Sequence, residues 1–497
     1  MLERIRDSIL LHHNRKAFII KDQVYDYHDF ARYITGIRQL LSTIENISNK
    51  IVGILTDDTI ETYAAIYALW FEGLTFLPLN PRFPVTRNQE ILRQTGANTL
   101  LHAGIDQPAE IIGTIENLAS LKDIISDTID LNFHPVEDDD ILYILFTSGS
   151  TGIPKGVPIN RRNLDSFIKA FLENKTRWNA EDRFLQMFDF TFDVSVQCYT
   201  VPLLLGACIC TVPHDQIKYL AVYKVLEQHH ATIAIMVPSV IIFLRPYLKK
   251  IYLPDIRYTI FTGESVPLSL MLDWSQCCPG SLIDDCYGPT EATIYCLAYR
   301  WNKEKGRKKS YNGTVSIGRP FNGITALVLD KKNEPVPPGV KGELVVAGNQ
   351  VTKGYLNNAE KNSSSFVEIE HKHEKQRFYR TGDLVFVDED GDFMYCGRID
   401  DQVQVYGFRV ELGEIEYHAK KIVHPGNCIA VARPNHSGNM EIFLFVEKNA
   451  ERIPEIVSYL QISLPYYMQP FKVIPVDAIP VNANGKTDRN KLFTMIV

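Results

Sequence analysis

The chain of 497 residues is 45% hydrophobic and 22% charged, a globular composition long enough for a large core and at least one further domain. Its formal charge of −7 argues against general affinity for nucleic acid. Its nine cysteines include no C-x-x-C pair and read as reduced, buried thiols of a cytoplasmic protein rather than a disulfide framework or a zinc site.

Residues 1–20, MLERIRDSILLHHNRKAFII, interrupt their apolar positions with charges at near-helical spacing, so they form neither a signal peptide nor a membrane span. Short strand-like runs then follow (KIVGIL, TLLHAG, ILYILF, ATIAIMV, YTIFTG). They alternate with helix-like stretches such as 59–73 and 217–229, the pattern of a parallel α/β domain. Behind ILYILF comes FTSGSTGIPKG, residues 146–156, a loop at the end of a buried strand. Its glycines let backbone N–H groups converge on an anion, its hydroxyls add donors and Lys155 adds charge, which together suit a polyphosphate. It is not a Walker loop, because Pro154 precedes the lysine and Gly156 follows it. From about residue 315 the texture becomes β-rich (ITALVLD, GELVVAG, FMYCGR, QVQVYGFRV). After residue 400 NCIAVARP, MEIFLFVEK, a helical IPEIVSYLQISL and FKVIPVD have a βαβ-like order. The charged runs KEKGRKK (303–309) and EHKHEKQR (370–377) read as solvated loops.

Further motifs follow the glycine-rich loop: CYGPTEAT (286–293), GELVVAG (342–348), YRTGDLV (379–385), GRIDDQVQVYGFRVELGEIE (397–416) and NGKTDRNKL (484–492). In this order they closely resemble the adenylate-forming superfamily, which contains adenylation domains of nonribosomal peptide synthetases, D-alanine:carrier-protein ligases, acyl-CoA synthetases and luciferases. The resemblance implies an α/β fold. A large N-terminal domain (1–399) would hold two α/β subdomains and a smaller β-rich one, and a small mobile α+β domain (400–497) would act as a lid. It also implies ATP and Mg2+. Thr147, Ser148, Gly149, Ser150, Thr151 and Gly152 would wrap the β- and γ-phosphates, with Lys155 neutralising them. Tyr287 would lie against adenine, Glu291 would hold the Mg2+, Asp383 would accept the ribose hydroxyls and Arg398 would sit near ribose and phosphate. Gly263, Glu264, Gly288 and Thr290 complete the nucleotide wall. Lys486 would bridge substrate carboxylate and α-phosphate and stabilise the charge of the in-line displacement. Asp400 stands at the hinge, and Gly407 in the segment that admits a thiol after the lid swings. Many relatives carry basic residues where this chain has Gln404 and Tyr406.

The stretch 188–207 resembles the region in which amino-acid-activating members carry an aspartate for the substrate ammonium group, here Asp193. A buried carboxylate without a cation is costly, so its presence in an otherwise apolar segment suggests a charged ligand or a lysine or arginine partner elsewhere in the chain. The pocket walls carried over are Val194, Gln197, Met236, Ile260, Thr262, Cys286, Ile294 and Tyr295, none charged, which disfavours charged substrate side chains. Their opening resembles proline-activating pockets, so proline leads slightly over D-alanine. With no carrier or condensation domain after Val497, the expected thiol acceptor is a separate phosphopantetheine carrier protein, CoA being the alternative. Rival readings are a D-alanine:carrier-protein ligase, an acyl- or aryl-CoA ligase and a non-catalytic adenylate-binding protein.

Overall fold

The computed structural model describes residues 1–103, 115–149, 151–173, 178–213, 216–423, 426–448, 450–481 and 487–496. Two expected site residues, Ser150 and Lys486, lie outside the described residues.

Two large sheets organise the first 320 residues. The six-stranded sheet runs in the order Asn117–Ser120, Thr99–His102, Ile51–Leu55, Thr75–Leu79, Ile141–Thr147, Lys155–Asn160. Its strands are parallel except the last, which turns back on Ile141–Thr147 so that Thr147 pairs with Lys155. Ile51–Leu55 and Thr75–Leu79 are buried along their whole length, as parallel strands covered on both faces must be. The helix Ile60–Phe71 connects them, opened by the Thr59 side chain, which accepts a hydrogen bond from the Thr62 amide.

The nine-stranded sheet runs Arg319–Pro320, Leu297–Arg300, Leu282–Tyr287, Tyr258–Thr262, Ile233–Met236, Arg183–Gln186, Cys208–Thr211, Lys16–Ile20, Gln23–Asp26. It is parallel from Leu282–Tyr287 through Lys16–Ile20 and antiparallel at both edges. Its outermost hairpin therefore comes from the first residues of the chain. Helices 27–41 and 60–71 pack their aromatic faces, Phe30, Tyr63, Tyr67 and Trp70, into a core shared with helix Val194–Leu205 of the second sheet.

Five antiparallel strands follow: Ile324–Leu329, Gly342–Gly348, Phe366–His371, Glu374–Val387 and Phe393–Arg398. Their register sets Asp383 directly opposite Arg398. The run 303–309 is not wholly solvated, because Lys309 is buried between the carboxylates of Asp388, Asp390 and Asp392.

The hairpin Gln402–Val405/Phe408–Glu411 opens the C-terminal segment. Its two-residue turn takes positive φ at both Tyr406 (52°) and Gly407 (84°), the arrangement that matches strand twist in tight hairpins. Helix Leu412–Val423 and the sheet Cys428–Pro434, Met440–Glu447, Lys472–Val476 complete the segment, whose core is separate apart from Phe83 and Phe192. All nine cysteines are free thiols, eight buried and Cys396 half-buried. Among the described residues no helix is long and apolar enough to cross a membrane.

Candidate functional site

The carboxyl ends of the strands at 141–147, 233–236, 258–262 and 282–287 bring Thr147, Met236, Thr262 and Tyr287 towards one region, where open α/β sheets commonly receive ligands. A cavity of about 540 Å3 opens there, between the large sheets and the C-terminal segment. Asp193, Tyr287, Thr290, Asp383, Arg398 and Arg409 all line it, with Gly263, Glu264, Cys286, Gly288, Asp400 and Gly407.

The glycine-rich loop is covered at Ser148, Gly149 and Lys155, where the C-terminal segment from residue 402 to 414 lies on it, and exposed at Thr151 and Ile153. Ser148 Oγ donates to the Arg409 carbonyl at 2.9 Å and accepts from the Glu411 amide at 3.2 Å. The Gly149 amide donates to Glu414 Oε2 at 3.1 Å, and Lys155 Nζ meets Glu411 Oε1 at 3.2 Å. Gly152 has φ +77°, and a Cβ there would fall 2.1 Å from the Tyr417 ring, so only glycine permits that close approach. Thr147 Oγ1 is buried without a hydrogen-bond partner, and Thr151 is exposed. Burial, with the neighbouring Arg409 charge, lowers the Lys155 pKa.

Glu291 is fully buried on the short turn after Tyr287. Burial alone would favour its neutral form. The Arg409 guanidinium at 2.9 Å, the Tyr355 hydroxyl at 2.6 Å and Lys155 overcome this and hold the pKa down at about 2. An ionised carboxylate with few protein neighbours of its own sign suits a hard cation such as the implied Mg2+. Arg409 takes both of its oxygens here, so metal and guanidinium exclude one another.

Elsewhere in the cavity the Tyr287 hydroxyl donates to Asp383 at 2.5 Å, and Arg398 Nη1 donates to Asp383 at 2.9 Å. Arg398 also clamps Asp400 at 2.6 Å. Burial raises the Asp383 pKa even with Arg398 alongside. Glu264 accepts from the Ser239 amide at 2.8 Å and the Gly407 amide at 2.6 Å, so it ties the hairpin turn to the core. The Tyr406 ring stacks on Phe243 with centroids 6.0 Å apart, and Phe243 in turn stacks on Tyr219. An aromatic contact thus stands where the resemblance led one to expect a basic side chain.

Asp193 is 6% exposed, precedes the buried helix Val194–Leu205 and forms no ion pair among the described residues. Burial pushes its pKa up to about 7. Of the expected walls, Cys286 lines this cavity; Val194, Gln197, Met236, Ile260, Thr262, Ile294 and Tyr295 are buried and do not, and the Gln197 amide and the Tyr295 hydroxyl are buried without a hydrogen-bond partner.

Residues 6–356 match the family described as AMP-binding enzyme. The chain belongs to the AMP-binding enzyme family. One of the plipastatin synthases of Bacillus subtilis (strain 168) is 31% identical over 452 residues, which are 90% of this chain and 17% of that protein. Zwittermicin A synthase ZmaJ of Bacillus cereus is 29% identical over 494 residues, 96% of this chain and 91% of that protein. The chain therefore spans only about a sixth of the first of these relatives and nearly all of the second. Among solved structures, the adenylation domain AlmE of Vibrio cholerae, in complex with glycyl-adenosine-5'-phosphate, superposes with a TM-score of 0.85 at 25% identity, covering 99% of this chain and 97% of that one. The mixed α/β fold of this AMP-binding enzyme matches that adenylation domain across nearly the whole chain.

Sequence reasoning missed several residues that shape the site. Arg87, Arg409, Glu411 and Glu414 form cross-segment ion pairs whose partners lie between 118 and 327 positions away. The motif GFRVELGEIE contained three of them, but no spacing within it points to Glu291 or Lys155. Asp285 lines the cavity beside Tyr287, with burial and the adjacent Asp284 raising its pKa far above the usual carboxylate range. An acidic pair immediately before Cys286 was the available signal.

Proposed function

We propose that this protein activates a neutral, small to medium amino acid as aminoacyl-AMP, releasing pyrophosphate from ATP, and then passes it to the thiol of a phosphopantetheine carrier protein. The observation that carries the reading is Asp193, a buried carboxylate facing the same cavity as Tyr287, Asp383 and Arg398 with no ion-pair partner among the described residues. Such a group is costly in isolation, and a substrate ammonium would complete it. In this reading Lys155 and the loop 147–152 hold the phosphates, Glu291 holds Mg2+, Tyr287 faces adenine, Asp383 takes the ribose and Lys486 stabilises the charge of the displacement. Residues 1–399 bind the substrates, and residues 400–497 form a lid pivoting at Asp400.

The substrate in this reading is neutral and small to medium, because none of the walls carried over is charged and of them Cys286 lines the cavity. The glycyl adenylate bound by AlmE adds glycine to proline and the two alanine enantiomers as the acids to try first. For the thiol, a second cleft between Arg245 and the loop at His436 and Ser437 lies beside the main cavity, with which it shares Ile242, and is the entry this reading favours. Amino-acid-dependent exchange of labelled pyrophosphate into ATP tests the reading. One strong signal among neutral, small to medium amino acids is expected. Exchange only with simple carboxylic acids would move the protein to the CoA-ligase class, and silence with every acid would overturn the catalytic reading.

A further inference from the structure

Three cations and three carboxylates interlock where the C-terminal hairpin meets the glycine-rich loop: Lys155 with Glu411 at 3.2 Å, Arg87 with Glu414 at 2.7 Å and Arg409 with Glu291 at 2.9 Å. Arg87 and Glu414 are 7% and 1% exposed, so this is a built contact and not a surface pairing. Two of the carboxylates occupy particular places. Glu411 takes the one lysine of the loop, and Glu414 accepts the hydrogen bond of the Gly149 amide. A backbone amide at a glycine turn and an adjacent lysine are what a polyphosphate would use. Arg409 meanwhile takes the carboxylate of Glu291.

We infer that Glu411 and Glu414 are internal surrogates for pyrophosphate: they satisfy the phosphate loop when the hairpin is docked, so docking and polyphosphate binding compete for the same donors. The inference rests on the loop being the polyphosphate site. It goes beyond that reading by assigning two positioning residues that make departure of the inorganic product a condition for the docked arrangement. The charges explain why both cannot be accommodated. Docked, the cluster is balanced; a bound pyrophosphate would set several negative charges against Glu411 and Glu414 at contact distance, in a region where burial strengthens repulsion. In the reverse sense, a docked hairpin lowers the apparent affinity for pyrophosphate by the fraction of molecules that remain undocked.

The test uses the full chain and methylenebisphosphonate as the probe. A fluorescent donor and acceptor at Lys249→Cys and Glu451→Cys, both exposed, in a Cys396→Ser background, report the distance between core and C-terminal segment. Calorimetry reports bisphosphonate affinity. The bisphosphonate is expected to change transfer efficiency in the otherwise unaltered protein, and Glu411→Gln is expected to bind it about tenfold more tightly, as when one molecule in ten is undocked at rest. Glu414→Gln should act in the same direction. It leaves Arg87 buried without a charged partner, so Glu411→Gln, at a carboxylate 14% exposed where Glu414 is 1% exposed, is the deciding variant if Glu414→Gln does not fold. A merely structural role for Glu411 would lower stability without tightening the bisphosphonate. Binding with unchanged transfer efficiency overturns the inference, and so does equal affinity in the variant. Absence of binding to either protein overturns it together with the phosphate-loop assignment. Amino-acid-dependent pyrophosphate exchange is measured separately, so an active enzyme whose Glu411→Gln variant shows equal affinity would refute the surrogate role alone.

Discussion

Replacing Asp193 with asparagine should make the unliganded protein more stable while removing its recognition of amino acids. Burial raises the carboxyl from 3.8 to about 7, with the Thr290 hydroxyl and the Val194 amide only partly opposing it. At about 1.4 kcal/mol per pKa unit, ionising Asp193 in the folded protein costs about 4 kcal/mol relative to the unfolded chain. Because the folded pKa is raised, the folded protein holds the proton more tightly. The stability this contributes is complete below pH about 4 and is lost as the pH rises through about 7. Asparagine is isosteric, still accepts the two hydrogen bonds and does not ionise, so it escapes that loss. With an unfolding entropy of about 2 cal/mol/K per residue over a core of some 400 residues, 4 kcal/mol corresponds to about 5 °C in Tm. Calorimetric scans of both proteins without ligand, at pH 5 and pH 8.5, measure it. The asparagine variant should melt about 5 °C higher at pH 8.5, with a much smaller gap at pH 5. Pyrophosphate exchange with the preferred amino acid should fall at least a hundredfold. Equal melting temperatures at pH 8.5, or a gap independent of pH, would refute the placement of an unpaired carboxylate at this site.

The same titration sets the pH dependence of substrate capture: KM for the amino acid should rise as the pH falls through about 7, because Asp193 must lose its proton before it can pair with an ammonium group, whereas KM for ATP should stay nearly flat. Gly407→Ala would place a Cβ 2.6 Å from Val237 Cγ1 at φ +84°, so thiol transfer measured with a loaded carrier protein should fall at least tenfold while pyrophosphate exchange changes less than about twofold. A double-mutant cycle on Tyr406→Ala and Phe243→Ala, read by the fluorescence of the docked state, should give a coupling of about 0.5–1.5 kcal/mol; additive effects would show that the stacked rings hold nothing.

Much of the architecture was legible because it is written in local periodicity. Ile51–Leu55 and Ile233–Met236 are uninterrupted apolar runs, Tyr258–Thr262 is a short β-branched and aromatic one, and helix Ile60–Phe71 begins at a threonine cap, so the parallel α/β pattern could be read from the sequence. The cavity residues Asp193, Tyr287, Asp383 and Arg398 came from ordered motifs, and the structure gathers them around one opening. What was not legible depends on long-range electrostatics. Nothing near Lys155 announces Glu411, and nothing near Glu291 announces Arg409, because partners brought together by docking leave no spacing pattern. The reach of the walls was equally hidden. A list of wall residues does not say which of them line the cavity, and here the buried Tyr295 and Met236 do not.

The edge hairpin of the nine-stranded sheet has a consequence for how the molecule is made. Lys16–Ile20 lies parallel to Cys208–Thr211, roughly 190 residues further along the chain, with the whole six-stranded sheet encoded between them. During synthesis at about 5–20 residues per second, this strand waits on the order of ten seconds or more for Cys208–Thr211, with one edge of Phe18 and Ile19 unpaired. Its own partner in the interval is the short strand Gln23–Asp26, whose exposed polar edge limits wrong pairing while the intervening half is completed. The strand Lys16–Ile20 thus keeps one edge open until Cys208–Thr211 has been made, and their pairing ties the two ends of this stretch of chain into one sheet.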